Sequence, residues 1–487
     1  MFLSSRPALP YPQRQPLHDL ASTRRIEHTA AAMPAPGDLM AKAGLAIAKL
    51  TLALAPHARH IWVACGPGNN GGDGMAAALQ LLRLGKRVSV TRCATSAQIP
   101  SDAAQALLEL QQAGVTIGDT PPNQVDFCID ALLGIGAHQE PRGEVSERIA
   151  QINDTYKPVL AVDTPSGLNA ETGVASRHCI KANWTITLLT LKPGLFTTQG
   201  RDYCGEVWLD DLELGDIVQS TPGQAWLGAA IPASPRAHAS HKGSYGDVAV
   251  IGGASGMAGA ALLAASAALH SGAGRVFVGL LDSSLPLLHP EVAELMLRRV
   301  DQIDLRDKTV VCGCGGSNAI QDHLHGILTS PSPVVLDADA LNALAMLPQL
   351  QADLRRRAIQ VAPTVITPHP LEAARLLNIS VSAVQSDRLS AAHELTKRLE
   401  CTVILKGSGT VVMAPGELPV INPTGNARLA TAGTGDVLAG MVGARIAQGS
   451  SAFEAACAAS YQHGLIADQW SSTRPFTASI LARSARF

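Results

Sequence analysis

The sequence predicts an α/β protein of two units, each a mostly parallel sheet covered by helices. Three observations lead there: a length of 487 residues, two separate alternations of short apolar runs with helical stretches, and a Pro- and Ala-rich interval between them. A chain this long exceeds one ordinary core, so two domains of roughly 200 to 250 residues are expected. In the first alternation the pattern predicts strands at 61–65, 87–92, 125–130, 158–163, 184–189 and 205–209, with helices over 75–84, 101–113 and 143–153. Strands that alternate with helices pair in parallel. From Thr221-Pro222-Gly223 to Ile231-Pro232-Ala233-Ser234-Pro235 there is little periodicity, which reads as a linker over 221–240 between domains 1–220 and 241–487. Beyond it, strands are predicted at 247–251, 275–280, 309–312, 333–337, 364–367 and 402–406, with helices over 257–270, 433–447 and 452–469. No short fixed period runs through either half. Residues 1–16, with prolines at 7, 10, 12 and 16 and no continuous apolar core, read as a loose arm and not as a secretory signal.

Composition narrows the partners. A formal charge of −2, 16% charged residues and no extended Lys/Arg run argue against nucleic acid and against a membrane surface. The apolar stretches 43–55 and 258–269 fall short of the ~20 residues of a membrane span and read as buried helices. Cysteines at 65, 93, 128, 179, 204, 312, 314, 401 and 457 are odd in number and scattered in apolar runs, as expected of buried thiols in a reducing cytosol. Cys312-Gly313-Cys314 has no companion pair at ligand spacing, so zinc is not expected.

The chemistry sits at strand ends. CGPGNNGGDGM, residues 65–75, follows a strand and precedes a helix, where unpaired N–H groups converge and glycine permits close approach of a ligand. Asp130 in FCIDALLG and Asp163 in LAVDTPSG also stand at strand ends. In a parallel sheet these carboxyl ends share one edge, so the two aspartates and the Asn69–Asp73 stretch converge. Oxygen donors there suit a hard cation, and a carboxylate that does not ligate can move a proton. Each Asp taken alone fits a helix N-cap equally well.

GPGNNGGDG, DALLGIG, VDTPSG and the upstream Leu39-Met40-Ala41-Lys42-Ala43-Gly44 resemble the N-terminal domain of the YjeF family, the NAD(P)H-hydrate epimerases, over about residues 17–215. The resemblance implies a Rossmann-like doubly wound domain that interconverts the R and S forms of hydrated NAD(P)H at C6 with a bound potassium ion. On this chain it assigns potassium to Asn70, Asp130 and Ser166. It assigns the dinucleotide to Asn69, Asn70, Gly71, Gly72 and Asp73 and to Gly134, Ile135, Gly136, Ala137, His138, Gln139 and Glu140. Asp163 becomes the acid/base.

The second half carries a parallel set. Gly252, Gly253, Gly256 and Gly259 lie between a strand and an alanine-rich helix, and NPTGNARLATAGTGDVLAG places Gly433-Thr434-Gly435 at a helix start with Asp436 beside it. Successive N–H groups there form an anion hole with an acid/base attached. DADALN at 337–342, TPHPLE at 367–372 and LKGSGT at 405–410 end three further strands. Lys406 can neutralise phosphate and His369 can donate to a polar ligand; Asp337 and Asp339 fit an N-cap as well as a catalytic role.

HKGSYG, TPHPLE, LKGSGT and NPTGN…AGTGD together resemble the ribokinase-like superfamily and, within it, the NAD(P)H-hydrate dehydratases, over about 236–487. The resemblance implies a ribokinase-like α/β domain that dehydrates S-NAD(P)H hydrate at the expense of ADP, with Mg2+. It assigns ADP to Lys406, Gly407, Ser408, Gly409, Thr410 and Gly435, and the hydrate to Ala260, Gly315, His369 and Asp436, the last also catalytic. Where that family shows a GPGLG-like turn, this chain has Gly313-Cys314-Gly315-Gly316-Ser317. The expected partners are NADH and NADPH hydrates and ADP, in a cytoplasmic homo-oligomer. Two other readings remain open at this point: a ribokinase-like small-molecule kinase using ATP, and an N-terminal half that senses nucleotide without catalysis.

Overall fold

The computed structural model describes residues 5–9, 13–32, 38–93, 99–137, 139–231, 235–285, 292–471 and 473–486. Their contacts divide the chain into two compact units, Met1–Leu227 and Gly228–Phe487.

In the first unit the sheet runs, edge to edge, Arg6–Pro7, Glu206–Asp210, Trp184–Leu188, Val159–Val162, Phe127–Ala131, His60–Cys65, Arg87–Arg92 and Ile117–Gly118. All pairs are parallel except the outermost, Arg6–Pro7 on Glu206–Asp210. The central strands HIWVAC, FCIDA and VLAV are covered on both faces, which is why they read as continuous apolar runs instead of alternating ones. Chain order reverses between Phe127–Ala131 and His60–Cys65, so loops leaving these two strands diverge to opposite faces and open a crevice between them.

Three expectations change here. The arm is not loose: Arg6–Pro7 extends the sheet, Gln15–Leu17 pairs with Ala225–Leu227, and the Ser5 hydroxyl donates to Asp210 at 2.9 Å. Prolines are tolerated because these are edge strands. The strand Ala225–Leu227 lies inside the interval read as a linker; three residues are too few to show a period. The helix expected from residue 75 begins at Asn69, so most of the glycine-rich segment is helical and the true turn is only 66–68.

The second unit repeats the winding. Its sheet runs Met296–Arg298, Arg275–Leu280, Asp247–Gly252, Lys308–Cys312, Val334–Leu336, Thr364–Ile366, Thr402–Leu405, Val411–Met413 and Val420–Ile421, with only the last two strands antiparallel. Order again reverses between the first strand in sequence and the fourth. The helices Ala258–His270 and Thr434–Ala447 cross closely because small residues meet there: a Cβ on Gly440 would lie 2.0 Å from the Ala264 carbonyl oxygen. That packing fixes the start of the second helix, which carries Gly435 and Asp436. No helix among the described residues is long and apolar enough to cross a membrane, and the nine cysteines are buried and unpaired.

Candidate active sites

At the reversal of the first sheet lies a cavity of about 510 Å³ lined by Asn69, Asn70, Asp73, Gly134, Ile135, Gly136, Ala137 and Asp163. Lys192, and Arg24 and Glu27 from the helix Leu20–Ala31, line it too. Gly71 and Gly72 do not. A Cβ on Gly71 would meet the Gly66 carbonyl oxygen at 2.1 Å, and one on Gly72 would meet Met40 Cε at 2.5 Å, so packing of the helix start demands these glycines. Gln139 lines a smaller neighbouring recess with Thr164, Asn169 and Ser176; Glu140 is exposed and lines neither; His138 lies outside the described residues.

Asp163 is held firmly. The Thr164 N–H bonds back to the Val162 carbonyl at 2.8 Å, a three-residue turn that keeps Asp163 at φ +66°. Its carboxylate pairs with the Lys192 ammonium and accepts from Leu188 N at 3.3 Å and Ile135 N at 3.4 Å. Lys192 is 2% exposed and also donates to Thr187 Oγ1 and the Leu188 carbonyl, both at 2.8 Å, which engages all three of its hydrogens. Nearby, burial and then the Asp163 charge push the Asp73 carboxyl well above the usual range.

Asp130 and Ser166 are both fully buried and linked, Ser166 Oγ to Asp130 at 2.6 Å and Ser166 N at 2.8 Å. No basic side chain pairs with Asp130 among the described residues, and burial raises it to about 6 despite these bonds. The Asn70 side chain lies against the adjoining Gly134, where a Cβ would touch its carbonyl oxygen at 3.4 Å, and Asn70 Nδ2 is buried without a partner. A buried carboxylate without a counter-charge, among oxygen donors, fits a hard cation.

The reversal of the second sheet gathers different donors. Ala254 N bonds to the Gly315 carbonyl at 2.7 Å, and a Cβ on Gly315 would lie 3.0 Å from Ala260 Cβ, so these two assigned positions are neighbours. Asp337 accepts from Lys406 Nζ at 2.8 Å and Thr367 Oγ1 at 2.6 Å. Burial alone would lower Lys406, but Asp337 and Glu372 outweigh it and hold the ammonium above the usual lysine value. Gly435 faces this pair: a Cβ there would lie 3.2 Å from Lys406 Nζ and 3.9 Å from Asp337 Oδ2. Carboxylate oxygens of Asp337 and Asp436 and the Cys314 sulfur lie within 4.8 Å of one another. Burial, then the Asp337 charge, raises Asp436 to about 6; burial and the two carboxylates push the Cys314 thiol far up, so it stays protonated.

His369 caps the helix Pro370–Leu377. Its Nδ1 accepts from Leu371 N at 3.1 Å and Glu372 N at 3.3 Å, so Nε2 carries the proton, and it lies 3.3 Å from Glu372 Oε1. Burial and then the Lys406 charge lower its pKa, which keeps the ring neutral. Glu372 clamps the arrangement by accepting from His369 N at 2.7 Å and is itself raised to about 7 by burial. Beneath the turn 406–410, buried Arg388 donates to the Leu405 carbonyl at 2.9 Å and lies where a Cβ on Gly407 would collide at 2.7 Å; Thr410 Oγ1 closes the turn on the Gly407 carbonyl at 3.1 Å. Asp339 serves structure, accepting from Ser317 N at 2.8 Å.

Comparison with known proteins matches both halves. The family described as YjeF-related protein N-terminus matches residues 36–194, and that described as NAD(P)H-hydrate dehydratase matches 248–485. The chain is 39% identical over 450 residues to the bifunctional NAD(P)H-hydrate repair enzyme Nnr of Escherichia coli (strain K12), covering 88% of this chain and 84% of that one. It is 37% identical over 448 residues to the enzyme of the same description from Coxiella burnetii, covering 89% and 90%. This chain belongs to the bifunctional NAD(P)H-hydrate repair enzymes. The second half alone is 44% identical over 254 residues to the ADP-dependent (S)-NAD(P)H-hydrate dehydratase of Neisseria meningitidis serogroup B, covering 51% of this chain and 84% of that protein.

In this repair enzyme the motifs mark strand ends and leave out their supports. Lys192 went unread although a lysine inside the apolar run Trp184 to Phe196 is a signal, since an unpaired charge there would be costly. Arg24 and Glu27 had no signal; they reach the cavity because the first helix packs back on the sheet. Cys314 showed only in a close cysteine pair set aside as a zinc site and as a departure from a turn motif.

Proposed function

We propose that the two reversals house the two activities of this repair enzyme, epimerisation in the first unit and ADP-dependent dehydration in the second. The carrying observation is that each crevice holds an acid/base aspartate next to a buried Lys–Asp pair, Asp163 being itself the paired acid in one and Asp436 lying beside Asp337–Lys406 in the other.

In the first crevice, Asp163 takes the proton of the C6 hydroxyl as the C6–N1 bond opens to an aldehyde and N1 takes up a proton from water; N1 loses that proton and Asp163 returns its own to oxygen when the ring recloses on the other face. Lys192 orients the carboxylate, and Asp73 and the cavity walls Gly134 to Ala137 hold the ring. Asn70, Asp130 and Ser166 would hold potassium, which would supply the positive charge that the buried carboxylate lacks.

In the second crevice, S-hydrate enters against Ala260 and Gly315 with His369 Nε2–H donating to it. Asp436 deprotonates the C6 hydroxyl, whose oxygen attacks the β-phosphoryl of ADP in line with the departing AMP. Lys406, the 407–410 turn and the Gly435 N–H neutralise the charge that develops. The C6–O bond then breaks to inorganic phosphate, the C5 proton is lost, and the conjugated ring returns. Mg2+ would accompany ADP, with the Asp337 carboxylate as a hard donor on that edge, which leaves Asp436 free to take the proton. The same reading places the enzyme in the cytoplasm as a homo-oligomer, to which its unpaired cysteines are suited; sedimentation velocity measures the assembly.

The test is recovery of reduced-nicotinamide absorbance from mixed R and S hydrated NADH with potassium and either ADP or ATP. Full recovery with ADP is expected. A plateau at the S fraction removes the epimerase assignment; no recovery with either nucleotide removes both.

A further inference from the structure

The helix Ala452–Asp468 belongs to none of the motifs above, yet it touches both the segment 422–426 and Thr434, next to the Gly435 assigned to ADP. Asn422 Nδ2 donates to the Ser460 carbonyl at 3.0 Å, Thr424 Oγ1 to the Tyr461 carbonyl at 2.7 Å, and Gly425 N and Asn426 Nδ2 to the Asp468 carboxylate at 2.7 and 2.9 Å. Ser460, Gly464 and Asp468 share a helix face at four-residue spacing. A Cβ on Gly464 would lie 2.3 Å from Thr424 Oγ1, so the approach is as close as the helix allows. From the same helix His463, buried, places Nε2 2.9 Å from the Thr434 carbonyl oxygen.

We propose that His463 is a positioning residue for dehydration, which aims the Gly435 N–H at the transferring phosphoryl group by holding the carbonyl at the other end of the same peptide. A carbonyl has no proton to give, so Nε2–H is the donor and the tautomer is fixed. The Thr434 carbonyl and the Gly435 N–H belong to one planar trans peptide and point in opposite directions. A grip on the oxygen therefore sets the direction of the N–H, and it also polarises the amide toward donation. The other side of Thr434 is held as well, its Oγ1 donating to Leu429 and Thr431 carbonyls at 2.8 and 2.9 Å. Among the described residues neither Gly435 N nor Asp436 N donates to the chain, and Gly435 faces Lys406, so the aimed N–H is available where the phosphate charge gathers. Burial, partly offset by the Thr434 carbonyl, lowers His463 to about 4, which keeps the ring neutral at working pH.

The inference rests on the dehydratase site being at Gly435 and Asp436, and the test separates the two. Full-length His463→Leu, His463→Asn and His463→Gln are assayed for dehydration of S-hydrated NADH with ADP and for epimerisation, with thermal unfolding followed in parallel. The Gln amide nitrogen reaches the place of Nε2 and the Asn amide does not. The expected result is a kcat for dehydration lowered roughly tenfold or more in the Leu and Asn variants, by loss of an aligned donor. Gln should recover most of it, KM for the hydrate should stay put, and epimerisation should be unchanged. A folded Leu variant with wild-type kcat, or Gln and Asn variants equally impaired, overturns the proposal. If the Leu variant does not fold, the Gln–Asn comparison still decides. An active Asp436→Asn enzyme overturns the site itself, whereas an inactive one beside a fully active Leu variant overturns the role of His463 alone.

Discussion

The two units wind their sheets alike and spend their buried charges differently. Both reverse strand order once, between His60–Cys65 and Phe127–Ala131 in the first and between Asp247–Gly252 and Lys308–Cys312 in the second, and both place their polar residues on the edge this opens. In the first unit the acid assigned to catalysis is itself the partner of the buried lysine, Asp163 with Lys192, while among the described residues Asp130 has no basic partner. In the second the lysine is committed to Asp337, and Asp436 stands beside the pair with its pKa raised to about 6. A doubly wound sheet thus supplies a location. Which aspartate receives the ammonium is what distinguishes the two proposed sites: in one the assigned acid holds the lysine, and in the other it stands beside the pair and is raised by burial.

The sharpest way to break this comparison is to remove each acid separately. Asp163→Asn should lower epimerisation by about 10²–10⁴-fold and leave dehydration of pure S-hydrate intact, and Asp436→Asn should do the reverse, by the usual weight of a general base. A single variant that silences both activities would mean the sites are not independent. Next in size is the lysine of the first unit. Lys192→Met leaves Asp163 buried without its partner, a loss of about 3–5 kcal/mol for a broken buried pair; calorimetry should show a lower first transition together with lost epimerisation. An unchanged transition would mean that Asp163 takes up a proton or reaches water more easily than its burial suggests.

How much of this was legible follows the same division. Strand ends were readable because apolar runs stop at Asp130, Asp163, Asp337 and Lys406, and a parallel sheet must bring such ends together. Among the supports only Lys192 left a mark, as a charge inside an apolar run; Arg24 and His463 left none, because they reach their sites through packing of elements distant in sequence. The glycine-rich segment misled in one respect. Its glycines suggested room for a ligand, but Gly71 and Gly72 are small because a helix begins early against a strand end and against Met40. Close backbone approach has the same sequence signature whether the visitor is a phosphate or the protein itself.

A smaller effect separates the units by pH. Because Asp436 must be ionised to accept the hydroxyl proton and its folded-state pKa is raised to about 6, kcat/KM for dehydration should fall as pH drops through about 6, close to tenfold per unit below it. Burial is the main cause of the shift, so the limb should persist at high salt, which screens exposed charges but not buried ones. A limb that moves by a full unit with salt would place Asp436 in solvent.

The smallest effect tests which glycines serve the ligand. Gly68 caps the helix Asn69–Arg83, has an ordinary negative φ of −97°, and a Cβ on it would meet no protein atom within 4 Å; it also lines the cavity. Gly68→Ala should therefore cost no more than about 1 kcal/mol, the range for a changed cap residue, and any larger rise in KM for the hydrate must come from the ligand. Gly435→Ala is its counterpart, with a Cβ 3.2 Å from a flexible Lys406 tip that can yield by a few tenths of an ångström. A modest rise in KM for ADP is expected there with unfolding unchanged. If Gly68→Ala alters neither KM nor stability, the dinucleotide does not pass over that turn and the contact must be made by the opposite wall, Gly134 to Ala137.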